Sequence, residues 1–333
     1  MTDTTSSAST PTMANLTADN WRLMLIFFPH ATDAYQRLLN RPTPARFVQY
    51  TRAESAIKMI RSKSVWMRKA QWMNDYREIE HGWQSLLKTY HHSKAGQRFK
   101  AAMDAAHPGV SKEITDNFDP WVNEYRLNTY VTSISEHDDA EDINGRLSMW
   151  RAYGGSTGVA MVLKSAPFMT VSDALGAYSS PVAYFGQEQV DAHFDKIAAA
   201  IESNLDFVKN VPKPEIINRV HEAYRYGMIC CKHPGFAEER EWRIVYNPQR
   251  DQKKVLTQSV EIIGGVAQPV YSIPLRDIPG YANIEVASIL DRVIIGPTQF
   301  AGALLEAFWI ELEKAGVADP KKKVILSDIP LRT

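Results

Sequence analysis

The residues of this chain that could do chemistry gather where its apolar runs begin and end. Tyr50-Thr51 closes one short run, and Asn74-Asp75 lies in the loop after a second. Trp150-Arg151-Ala152-Tyr153-Gly154 precedes a central run, and Glu238-Glu239-Arg240-Glu241-Trp242-Arg243 opens a late one. Side chains alternate along a strand, so Glu241, Arg243 and Val245 share one face and Trp242, Ile244 and Tyr246 the other. A carboxylate beside an arginine on one face is either a solvated ion pair, worth about 0–1 kcal/mol, or the floor of a polar cleft. The solvated face is the expectation from sequence. Trp150 and Trp242 read as core aromatics, and Tyr153 as either a core or a cleft residue. Asp75 reads as a cap for the helix that follows it.

Most familiar signatures are absent from the sequence. It has no Walker A loop, dinucleotide fingerprint or His-Glu-x-x-His. The glycines of Gly154-Gly155-Ser156-Thr157-Gly158 precede a strand, whereas phosphate cradles usually follow one and open a helix, so a plain turn is expected. Cys230-Cys231-Lys232-His233 is a poor metal site, because adjacent cysteines rarely present both sulfurs to one tetrahedral ion. No metal is expected. Asp138-Asp139-Glu141-Asp142 is the densest carboxylate run and reads as a solvated loop.

Composition narrows the class. The chain has 333 residues, with 38 Lys and Arg against 38 Asp and Glu, and 44% hydrophobic residues. That is enough apolar surface for a full core, which excludes disorder throughout. Zero net charge excludes a general electrostatic grip on nucleic acid, though a local basic stripe is still possible. The best stripe is Arg61, Lys63, Arg68 and Lys69, interleaved with Trp66 and Trp72; a solvated face is the simpler reading. Only two cysteines, adjacent in sequence, argue against an oxidising compartment. Met1 to Asn15 has neither the basic start nor the apolar stretch of a secretory signal. The apolar run Leu23 to Phe28 falls far short of the roughly 20 residues a membrane span needs. A cytoplasmic protein with no membrane partner is expected.

The elements needed to position these residues follow from periodicity. Residues 1–16 read as a disordered tail, 17–45 as a helical extension with Pro29 between two short helices, and 46–333 as one α+β domain. Strands are expected at Phe47–Tyr50, Ser64–Met67, Asn128–Ser135, Gly158–Leu163, Val182–Phe185, Glu241–Tyr246, Ser259–Ile263, Val270–Ile273, Val293–Ile295 and Lys323–Leu326. Helices are expected after Ala53, from Asp75 to Tyr125 with breaks near Pro108 and Pro120, across 187–231 with a split near Pro212, and over Phe300–Ala315. The fold class is thus α+β, a small, mixed, mostly antiparallel sheet with helical insertions.

In order, these pieces resemble a bacterial family catalogued as domain of unknown function 2971, over about Arg46 to Arg332. The resemblance is carried by Tyr50-Thr51 before a helix, Asn74-Asp75, Met149-Trp150-Arg151-Ala152-Tyr153 leading to Gly158-Val159, and Glu239-Arg240-Glu241-Trp242-Arg243. Gly296-Pro297 and the tail Ser327-Asp328-Ile329-Pro330-Leu331-Arg332 complete it. More distantly, the opening unit is similar to that of ADP-ribosyltransferases, especially the toxin branch that modifies nucleic acid. Those enzymes commonly carry His where this chain has Tyr50.

That second resemblance implies an ADP-ribosyltransferase-like fold and NAD-dependent transfer to a macromolecule, in a toxin-like or phage-defence role. Glu241 would be the catalytic carboxylate, with Glu239 as a lesser partner. Tyr50 and Thr51 would hold the ribose and the nicotinamide amide, Tyr153 would stack on the nicotinamide, and Arg151 or Arg243 would pair with the pyrophosphate. Asn74 joins the nucleotide-contacting set. The acceptor would be protein or nucleic acid, the latter through Arg61, Lys63, Arg68 and Lys69. The alternatives are a non-catalytic binding or sensor module in a defence system and, third, a nuclease or nucleotide-processing enzyme.

Overall fold

The structure, a computed structural model, describes residues 17–72, 76–170, 172 and 174–330. The expected tail at 1–16, together with Asn74, Asp75 and Arg332, lies outside the described residues. The chain is a mixed α/β protein built on an open, mostly antiparallel sheet. Its strands are β1 (Arg46–Arg52), β2 (Ser64–Lys69), β3 (Tyr130–His137), β4 (Gly158–Lys164), β5 (Ala177–Pro181), β6 (Ala183–Tyr184), β7 (Cys231–Lys232), β8 (Glu241–Tyr246), β9 (Thr257–Ile263), β10 (Val266–Pro274), β11 (Leu290–Ile295) and β12 (Val324–Leu326). Ten of these form one sheet in the order β12-β11-β4-β1-β3-β2-β10-β9, with β8 joining β3 to β5; β6 and β7 form a separate parallel pair. Only β11 with β12 is parallel within the large sheet. The sheet is therefore larger than the small one expected.

β4 shows why the middle of the sheet is where it is. It pairs with β1 on one side and β11 on the other, and its first six residues are buried. A strand covered on both faces needs a continuous apolar run, which Gly-Val-Ala-Met-Val-Leu supplies. One face packs against helices Ala53–Ser62 and Ala301–Lys314 through Met59, Ile60, Phe308 and Leu312. The other meets Val48, Tyr50, Trp150 and Ile294.

At β3 and β8 the two sheet faces are dressed differently. Tyr130, Ile134, Trp242, Ile244 and Tyr246 pack on helix Pro29–Leu39 through Ala34, Tyr35 and Leu38. Val131 and Val245, on the opposite face, join the core of the helices Tyr76–His92, Lys94–Ala106, Val110–Asn128, Gln187–Ser203 and Lys213–Ile229.

Three expectations change. Pro120 does not break a helix but lies inside Val110–Asn128. A proline there forfeits one backbone bond, while burial of Ile114, Phe118, Val122 and Tyr125 along the same face keeps the helix continuous. β5, Ala-Tyr-Ser-Ser-Pro, was not expected, because its polar residues alternate weakly; it exists by pairing with β8. The segment from Asp138 to Asp142 is solvated only in part: the Asp138 and Asp139 side chains are 45% and 51% exposed, yet the carboxylates are ion-paired. Arg46 bonds Asp139 at 2.6 Å and Asp142 at 2.8 Å, Arg292 lies 3.1 Å from Asp142, and Arg240 bonds both Asp138 and Glu141.

Trp242 is fully buried, with Tyr35 and Phe47 edge-on at 5.0 and 5.2 Å. Trp242→Ala should cost about 3–5 kcal/mol, as large aromatic truncations in cores do. Urea unfolding measures it, and an unchanged midpoint would remove the assigned role of this contact.

Candidate functional site

A gap in the sheet makes the site. β1 pairs with the end of β3, at Ser135 to His137, and β2 pairs with its start, at Tyr130 and Val131. Both lie along the same edge of β3 in the strand order, so between them Thr132 to Ile134 has no ladder partner on that edge. The strands splay around a cleft of about 650 Å³, within the range of small-molecule sites. Its walls include Tyr50, Thr51, Arg52, Trp66, Arg68, Trp72, Ser133, Ser135, Tyr153, Glu239 and Glu241.

The approach to β8 sets the carboxylates. The turn Pro234–Glu239 ends at Arg240, whose φ of 47° is left-handed backbone that costs a non-glycine residue of order 1 kcal/mol or more. Its ion pairs with Asp138 and Glu141 hold it there. Glu239 and Glu241, on either side of this bend, both reach Lys232 of β7: Nζ lies 2.6 Å from Glu239 Oε2 and 3.2 Å from Glu241 Oε2. β6 supplies Tyr184, whose hydroxyl accepts the Glu241 backbone N–H at 2.7 Å.

Glu241 is 5% exposed and Arg243 3%, which overturns the expectation of a solvated pair. Ser133 donates its hydroxyl to Glu241 Oε1 at 2.5 Å, and Arg243 Nε donates to the same oxygen at 2.9 Å. Burial by itself would push the Glu241 carboxyl up. The charges of Arg243 and Lys232, with hydrogen bonds from Arg243 and Ser133, outweigh it and hold the carboxyl below its ordinary value of 4.5. The result is an ionised carboxylate at the edge of a cleft.

The other expected residues divide. Thr51 lines the cleft, as does Tyr153, which is 41% exposed and donates its hydroxyl to Glu239 Oε1 at 3.3 Å. Tyr50 also lines it, but its hydroxyl accepts the Arg146 backbone N–H at 2.8 Å and its ring sits edge-on to Trp150. Burial raises its phenol to about 12. Arg243 lies behind Glu241, bonded to that carboxylate and to the Ile229 carbonyl, and is not a cleft wall. Arg151 faces a different cleft of about 360 Å³, beside Trp150, Gly155 and Pro297. The arginines that line the candidate site are Arg52 and Arg68.

Of the basic stripe, Arg61 is tied to Glu311, whereas Arg68 lines the cleft and Lys69 sits over the Trp72 ring at 4.9 Å. Lys63 caps its helix in left-handed conformation. Among the described residues no group of three or more His, Cys, Asp and Glu side chains could hold a metal, and no helix is long and apolar enough to cross a membrane. Cys230 and Cys231 are buried thiols, pushed by burial to about 12 and about 11.

Sequence reasoning missed Lys232, Ser133, Tyr184 and Arg52. Arg52 had a signal, since it shares the Tyr50 face two residues on. Lys232 had none, because only the tertiary fold brings it beneath Glu239 and Glu241.

Two measurements check this network. Glu241 stabilises the fold when ionised, so its contribution is complete above the unfolded value near 4.5 and drains away as pH falls through the lower folded value. Glu241→Gln should flatten that part of the acid dependence in denaturation curves taken at successive pH values. Lys232→Met should cost roughly 3–5 kcal/mol, as loss of one partner from a buried pair does, and should raise the Glu241 carboxyl, which carbon NMR would follow. An unmoved carboxyl would exclude Lys232 as its partner.

Residues 149–244 match the family model described as protein of unknown function (DUF2971). No curated protein and no solved structure matches the chain. The matched stretch carries Tyr153, Lys232, Glu239, Glu241 and Arg243, so the resemblance to that family rests on the segment that brings both carboxylates to the cleft.

Proposed function

We propose that the cleft binds NAD and that the protein transfers ADP-ribose to a macromolecular acceptor. The observation that supports this is the ionised Glu241 carboxylate, buried yet facing a cleft between splayed strands. In this reaction the bond between the ribose C1′ and the nicotinamide nitrogen breaks, and its electron pair leaves with nicotinamide. Glu241 stabilises the positive charge left on the ribose, as a carboxylate does in glycoside hydrolysis. An acceptor oxygen or nitrogen then bonds to C1′ and releases its proton to Glu241 or solvent. Ser133, Arg243 and Lys232 hold the carboxylate before the substrate arrives, which lowers the reorganisation needed at the transition state.

Tyr153 and Thr51 are the cleft residues suited to the nicotinamide and ribose, and Arg52 and Arg68 replace Arg151 and Arg243 as partners for the pyrophosphate. At the mouth, Trp66 and Trp72 with Lys58, Arg68 and Lys69 suit a single-stranded nucleic-acid acceptor, through stacking and backbone contacts. A toxin-like or phage-defence role rests on the family resemblance alone. The binding-module reading draws on one observation, that both Glu241 oxygens already have cationic partners.

The deciding experiment incubates wild type and Glu241→Gln with labelled NAD and cell lysate. Label transfer and nicotinamide release should fall about 10²-fold or more in the variant. No turnover and no NAD binding by either protein would reject the transferase and leave the binding module.

A further inference from the structure

The cleft draws its walls from both faces of the sheet. Ser133, Ser135 and Glu241 point to one face by strand alternation, and Gln49, Thr132 and Ile134 to the other. An unbroken sheet would keep these two sets apart. Here the gap along β3 removes the barrier, so the cleft runs through the sheet.

Beyond the gap, on the face away from Glu241, lies a second pocket of about 70 Å³. Gln49, Met59, Val65, Thr132 and Ile134 line both spaces. The remainder of its wall is mostly aliphatic and aromatic, and among the described residues no Asp, Glu, Lys or Arg lines it. Tyr281 contributes a hydroxyl, but that hydroxyl donates to the Pro167 carbonyl. The outer compartment is lined by three carboxylates, two arginines and a lysine, and the inner one by none of these among the described residues.

We infer that the two spaces form one ligand compartment, whose ligand is an elongated small molecule with a polar outer end and an uncharged, apolar inner end. The inner end is a single ring or short branched chain, passing between β1 and β2 past Gln49 and Thr132. An ion there would lose its hydration without a partner, whereas an apolar group gains by leaving water. The outer end lies on the Glu241 face, where Ser133, Ser135, Arg52 and Arg68 offer hydrogen bonds and charge. This inference goes beyond the transferase reading and does not need it.

The probe is benzyl alcohol, with benzoate as its charged counterpart, titrated into the methyl-labelled full chain. Benzyl alcohol should shift the methyls of Met59, Val65, Met161 and Ile244, and benzoate should not. Ala177→Leu, which extends a side chain into the inner pocket from β5, should weaken benzyl alcohol at least tenfold. Arg151→Gln, in the separate cleft beside Trp150, should leave it unchanged. Absence of shifts at these methyls in the wild-type protein, or equal shifts with benzoate, would overturn the inference even if Ala177→Leu fails to fold. Benzyl alcohol bound there with neither NAD turnover nor NAD binding would remove the transferase reading alone. NAD turnover without benzyl alcohol bound would remove this inference alone.

Discussion

The site depends on one buried charge. A carboxylate as enclosed as Glu241 is costly to ionise unless cations and donors surround it. Lys232 and Arg243 supply the charge, Ser133 supplies a hydroxyl, and Tyr184 secures the backbone at the same residue. These four come from four separate strands, β7, β8, β3 and β6. Holding Glu241 therefore also holds the junction between the large sheet and the small parallel pair. The left-handed Arg240 belongs to the same arrangement, because its bend lets Glu239 and Glu241 share one lysine.

The second constraint is the gap in the sheet. β3 carries β8 along one edge from Tyr130 to Ser135 but divides the other between β1 and β2. A continuous ladder would satisfy more backbone groups and would close the cleft. Apolar packing bridges the gap on the face away from Glu241: the Trp242 cluster contains both Phe47 of β1 and Met67 of β2. The same opening brings a charged compartment and an apolar one into contact.

Much of the fold was legible in periodicity. The run Gly158–Leu163 read as a buried strand, and six of the seven residues of β4 are buried. The helix after Tyr50-Thr51 and the late strand at Glu241 also fall where alternation and caps placed them. Weakly patterned segments were not legible: β5 owes its conformation to β8, and Pro120 sits in a helix that its neighbours' burial sustains. Glu241, Glu239, Thr51 and Tyr153, singled out at strand ends and through the distant resemblance, line one cleft. Arg151 and Arg243 were misplaced, because local spacing does not say which side of a wall a guanidinium occupies.

The sequence by itself determined most of the strand and helix segments, the alternation that puts Glu241 and Arg243 on one face, and the family resemblance. These follow from neighbours two to four residues apart, where backbone geometry is decisive. Only the tertiary structure decided that this face is buried, that Lys232 lies beneath both glutamates, and that β1 and β2 part along β3. Each of those depends on which distant segments share a wall, and long-range packing, unlike periodicity, leaves no local mark.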